Sequence, residues 1–118
     1  MDSILNSIKK LLGISEEYTP FDADIIIHIN SVFSILTQLG IGPPAGFSIL
    51  DNSTNWSEFI GDAATIEMVK TYIYLKTKLI FDPPQNSSVT ASIEKTISEL
   101  EWRLNIAADS AMPEGDEE

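Results

Sequence analysis

The chain has 118 residues, the size of one domain with one hydrophobic core, and its make-up of 43% hydrophobic and 21% charged residues is that of a folding chain. Its 18 acidic residues against 7 basic ones give a formal charge of -11, which disfavours a phosphate backbone or an anionic lipid surface as a tight ligand. The absence of cysteine excludes disulfides, thiolate nucleophiles and the usual structural zinc sites.

No stretch approaches the roughly 20 apolar residues of a membrane span. The opening Met1-Asp2-Ser3-Ile4-Leu5-Asn6 also lacks the basic start and apolar block of a secretion signal, so a soluble intracellular protein is expected. In the first segment Ile4, Leu5, Ile8, Leu11 and Leu12 lay an apolar stripe along a short helix that Gly13 stops, with Lys9 and Lys10 suited to the negative end of its dipole. So short a helix needs a partner, from the same chain or from a neighbour.

A second helix is predicted from Thr19 as N-cap, Pro20 at its first position and Asp22 three residues after the cap. Ile25, Ile26, Ile29, Val32, Phe33, Leu36 and Leu39 give it a broad apolar face, and Gly40 closes it before Gly42-Pro43-Pro44. From Ala45 to Gly61 the pattern changes. Phe47, Ile49 and Leu50 suggest a short extended piece, and Asp51-Asn52-Ser53 a turn. Asn55 and Glu58 are spaced as a capping box around one helical turn anchored by Trp56, Phe59 and Ile60. An ordered connection of this length is often a binding element.

The third helix is predicted from about Asp62 to Phe81. It carries two apolar stripes, Ile66, Val69, Ile73 and Ile80 on one and Met68, Tyr72, Leu75 and Leu79 on the other, the signature of a central helix. Asp82-Pro83-Pro84 ends it, and a short link implies an antiparallel neighbour. That last helix, starting after Asn86, Ser87 or Ser88, aligns Val89, Ile93, Ile97, Leu100 and Leu104, with Glu99 and Arg103 able to pair outside. The expected fold is therefore all-α: a small bundle of three to four helices with an ordered loop or short β element between helices two and three. Residues 1–14 are the short N-terminal helix, 15–108 the main helical domain, and 109–118 an acidic flexible tail.

For chemistry, Asp24 and His28 share a helix face at i, i+4. No second histidine and no cysteine is available to complete a transition-metal site, and no phosphate loop, nucleophile elbow or zinc-protease helix occurs. Glu16-Glu17 and the acidic tail lack the ligand alternation of a calcium loop and are expected to be solvated charge. No enzyme activity, metal or cofactor is expected. What stands out is a surplus of apolar anchors, which either closes the monomer core altogether or is shared between that core and a partner.

The order of features resembles a known family. Tyr18-Thr19-Pro20 with Asp22, Ile25-Ile26 and Ile29-Asn30 running to Gln38-Leu39-Gly40, Trp56-Ser57-Glu58-Phe59, Val69-Lys70-Thr71-Tyr72-Ile73, Phe81-Asp82-Pro83-Pro84 and Glu101-Trp102-Arg103-Leu104 together look like the head-tail connector (adaptor) proteins of tailed bacteriophages and prophages, over residues 15 to 108 or so. The resemblance implies a non-catalytic virion structural protein, made in the host cytoplasm, that forms a ring below the portal, extends the DNA channel and joins capsid to tail. Its implied partners are further copies of itself, the portal and the next head-completion or tail protein, with DNA only as passing cargo and no membrane.

Mapped by region, Phe47 to Phe59 would carry lateral or distal contacts, through Phe47, Ile49, Trp56 and Phe59. Leu100 to Glu118 would reach the portal, through Leu100, Trp102, Arg103 and Leu104. A negative wall suits a channel that must not grip DNA. The competing reading is an acidic helical regulatory module that masks a basic protein partner. Membrane attachment through residues 2 to 12 has only two lysines behind it.

Overall fold

The first helix, α1 (Ile4–Leu12), forms where the apolar stripe places it, in a computed structural model that describes residues 3–61 and 63–111. Ser3 caps it by accepting from the Asn6 N–H at 3.2 Å. Gly13, at φ 84°, closes it, with the Gly13 and Ile14 amides bonded back to the carbonyls of Lys10 and Lys9. Its partners lie in the same chain. Ile4, Leu5 and Ile8 are fully buried, the Ile4 N–H bonds to the Thr54 carbonyl at 3.0 Å, and Ser3 forms an isolated antiparallel bridge with Asn55.

The second helix, α2 (Asp22–Gln38), begins two residues later than the Thr19-Pro20 signal predicts, with Phe21 in place of Thr19 at the N-cap. Thr19 to Asp22 closes a tight i→i+3 turn (Asp22 N to Thr19 O, 3.0 Å), and the first α-type bond runs from the Ile25 N–H to the Phe21 carbonyl. A tertiary tie overrides the local cap here: the Asp22 carboxylate is drawn down to the Lys9 ammonium at 2.8 Å. At the other end Gly40, at φ 88°, and Ile41 return hydrogen bonds to Thr37 and Leu36, the full two-bond C-terminal motif, with Ile41 and Leu36 both buried.

Between α2 and the next long helix the chain is an ordered loop. No strand forms among the described residues, because Ile49 finds its partner in a side chain: Asn30 accepts from the Ile49 N–H at 2.8 Å and donates to its carbonyl at 3.0 Å. One amide thus satisfies both backbone groups that a neighbouring strand would otherwise have to pair. Leu50, expected to continue the extended piece, turns outward and is 88% exposed. Asp51 then accepts from the Ser53 N–H, making the expected turn. The single-turn helix α3 (Trp56–Phe59) carries its Asn55–Glu58 capping box, with the Glu58 carboxylate accepting from the Asn55 N–H at 2.9 Å.

The central helix is α4 (Ala63–Phe81), which packs on α1, α2 and the last helix, α5 (Ser87–Ala111). The Asp62 at which this helix was expected to start lies outside the described residues. Ile66, Val69, Tyr72 and Ile73 are buried and Met68, Leu75 and Leu79 half-buried, so both stripes are covered; Ile80 is the exception, at 59% exposed. Asn86 caps α5 by accepting from the Ser88 N–H at 2.7 Å. Ile97 and Leu104 bury against α4, while Val89 stays 45% exposed near the open end. The α5 backbone remains helical through Ala111, three residues beyond Ala108, and the remaining acidic tail lies outside the described residues.

Candidate interaction surfaces

The expected contact residues in the loop turn mostly inward. Phe33, Phe47 and Phe59 form a trio with ring centroids 4.7 to 5.1 Å apart, in tilted and edge-on arrangements that suit their quadrupoles. Trp56 is fully buried; its indole N–H donates to the Ser7 hydroxyl at 3.1 Å, and the Lys70 ammonium lies 5.6 Å from its ring centre. Ile49 and Phe59 are buried as well. These three side chains, Ile49, Trp56 and Phe59, are therefore spent on the chain's own core, with Phe47 half-covered beside them. The surplus of anchors in this loop is largely the seat of α1, whose short apolar stripe needs a floor to pack on.

On α5 the four candidates divide. Leu104 is fully buried and Leu100 half-buried against α4. Trp102 is 64% exposed, and Arg103 lies outside, bound to Glu99 at 2.8 Å as its i, i+4 spacing predicts. With Ile106, one turn beyond Trp102, these make an apolar and charged strip on the outer face of α5. A second exposed patch pairs Ile27 on α2 with Leu50 on the loop. The third is aromatic: Tyr18, Phe21 and Phe81 stack in a row, centroids 5.6 and 5.2 Å apart, where α2 begins and α4 ends.

Asp24 is exposed and His28 half-buried on α2, and no hydrogen bond or ion pair joins them. Among the described residues no group of three or more histidine or acidic side chains is close enough to hold a metal ion, and no helix is long and apolar enough to cross a membrane. Glu17 and Asp51 are held below the usual carboxylate range, chiefly by the hydroxyls of Ser15 and Ser53 that donate to them. Both stay charged at neutral pH and add to the acidic surface of the α1–α2 link and the loop.

The titratable group most strongly displaced among the described residues is structural. The Tyr72 hydroxyl donates to Glu101 at 2.7 Å, tying α4 to α5, and burial pushes its ionisation well above the ordinary phenol range, with Glu101 adding to the effect. A group whose pKa is raised by folding stabilises fully below its unfolded value, about 10 for tyrosine, and loses that contribution as pH rises toward the folded value. Stability is therefore expected to fall above about pH 10. Tyr72→Phe should flatten that alkaline limb, as read from urea midpoints across the pH range.

Two features were missed by reading the sequence. Lys9 is fully buried, although as a basic residue in the last turn it fitted a surface role; it lies four residues after Leu5 and three before Leu12, on the apolar stripe itself, and that register was the available signal. The exposure of Ile27 was legible too, since three consecutive isoleucines from Ile25 to Ile27 cannot all face one side of a helix.

Neither a curated protein nor a solved structure matches this chain. The family model for phage connector protein matches residues 4–111, nearly every described position, including α1 as well as the segment in which the resemblance was read. With that match spanning more than nine-tenths of the helical bundle, loop and outer patches described above, the chain belongs to the phage connector protein family.

Proposed function

We propose that the protein is a non-catalytic subunit that assembles with further copies of itself into a ring below the portal of a filled phage head, extends the DNA channel and joins capsid to tail. The family match over residues 4–111 carries this reading. Two features of the molecule support it. The core is closed by the chain's own residues, yet Ile27, Leu50, Trp102 and Ile106 stay exposed in separate places, as a subunit with more than one neighbour requires. The charge of -11 suits a channel wall that lets DNA pass without holding it.

In this reading the outer face of α5 from Trp102 onward, continuing into the acidic tail, meets the portal. The loop around Leu50 faces a neighbouring subunit or the next head-completion protein. The site of action is the head-tail interface of the virion, reached after synthesis in the host cytoplasm.

The test is light scattering coupled to size-exclusion chromatography over a wide concentration range, with and without the portal of the same phage. A ring-sized mass in either condition is the expected result. A strict monomer in both, with no portal binding, would overturn the reading and favour a regulatory module that masks a basic partner.

A further inference from the structure

We infer that the hollow between the first turns of α2 and the loop beyond Ile49 accepts an arginine side chain from a basic segment of a different protein. The hollow has a volume of about 490 Å³, within the size range of sites that enclose a ligand group. Its apolar lining includes Ile26, Ile27 and Leu50, and its polar lining is Asp22, Asp51 and Asn52. Among the described residues no cationic side chain lines it.

Apolar wall and carboxylate side by side suit a long cationic side chain, whose methylenes cover the wall while its head stays with the charge. Each carboxylate has one oxygen committed. Asp22 Oδ1 lies 2.8 Å from the Lys9 ammonium, and Asp51 Oδ1 accepts from the Ser53 N–H at 2.8 Å. The second oxygen of each has no hydrogen-bond or ion-pair partner among the described residues, so both groups are held in place with an acceptor to spare. Lys9 matches only one of the two charges, and the hollow stays negative.

Arginine suits this lining better than lysine. Its planar fork donates to several acceptors at once, and its weaker hydration lowers the cost of leaving water for a half-apolar site. A second copy of the chain has no free arginine to offer: the single one, Arg103, is bound to Glu99 through two hydrogen bonds of 3.0 and 2.8 Å. The occupant therefore comes from another chain. On the connector reading, on which this assignment of the partner rests, it is the next head-completion protein on the loop side of the subunit.

The test is a titration of the isotope-labelled full chain with N-acetyl-arginine methylamide, followed by amide NMR shifts. Saturable shifts confined to residues 22–27 and 49–52 are expected, with a Kd in the millimolar range. The citrulline analogue, which keeps the shape and loses the charge, should bind about tenfold more weakly. Asp51→Asn keeps an acceptor for Ser53, and Leu50→Ser changes a side chain that is 88% exposed, so both variants fold. Each should weaken binding by about three- to fivefold.

Shifts scattered over the acidic surface, or equal for arginine and citrulline and unchanged by Asp51→Asn, would overturn the site. Self-association lost alike in Asp51→Asn and Arg103→Gln, read by light scattering, would overturn the assignment to a different protein and make a second copy the occupant. A chain that binds arginine here but never assembles, with or without the portal, overturns the connector reading and leaves the site standing.

Discussion

Gly42→Ala is expected to destabilise the protein by about 3 to 5 kcal/mol, the sum of a left-handed backbone forced on a side chain and an overpacked core. Gly42 has φ 86°, and a Cβ built there would lie 2.3 Å from Cε1 and 2.6 Å from Cζ of Phe59. That ring cannot step aside. It is held between Phe33 and Phe47 at 4.7 and 5.1 Å, in the same buried cluster as Trp56 and the apolar residues of α1.

Gly13 provides the control, because it has nearly the same φ, 84°, but nothing within 4 Å of its added Cβ. Gly13→Ala should cost only the backbone term, about 1 to 2 kcal/mol. Urea unfolding of the two variants at unchanged m-value isolates the contact with Phe59 as their difference. Equal losses would mean that the aromatic trio is pliable. Adding Phe59→Leu to Gly42→Ala should recover part of the loss, since the two changes share one space and cannot be additive.

The trio also shows where reading the sequence succeeds and where it stops. Periodicity located α1, α2, α4 and α5, and local chemistry found the glycine stops at Gly13 and Gly40 and the Asn55–Glu58 box, because each depends on residues within a turn of one another. What escaped it depends on partners far along the chain. That Trp56 is a floor for α1 follows from Ser7, 49 positions away, and that the loop needs no strand partner follows from Asn30, 19 positions before Ile49.

The same limit explains the contact residues. An apolar anchor in a loop reads alike whether it faces the core or a neighbour, so Ile49, Trp56, Phe59 and Leu104 carried no mark of being internal, while Trp102 and Arg103 did emerge on the surface. The start of α2 was misplaced for a related reason, in that a local Thr19-Pro20 signal lost to the pull of Lys9 on Asp22.

Lys9→Ala is expected to cost about 3 to 5 kcal/mol, because it leaves a cavity in the α1 seat and strips three acceptors of one donor. The ammonium of Lys9 donates to the carbonyls of Glu16 at 3.0 Å and Tyr18 at 2.8 Å and forms an ion pair with Asp22 at 2.8 Å, so the link from α1 to α2 is wound around it. Lys9→Met keeps the apolar stem and loses only the polar head. Glu16 and Tyr18 are exposed residues whose carbonyls can turn to water, and Asp22 is a quarter exposed, so this loss should be smaller, about 1 to 2 kcal/mol.

Lys9→Arg should fail to restore stability, since a planar five-donor fork does not fit a cage built around a point charge. The order Ala worse than Met, read by urea unfolding, separates the stem's packing from the head's bonding. Hydrogen exchange should show the amides of α1 and of the 14–21 link losing protection together in Lys9→Met while those of α4 do not. Loss confined to the link would mean that the apolar stripe of Ile4, Leu5 and Ile8 holds α1 by itself, and that the ammonium fixes only where α2 starts.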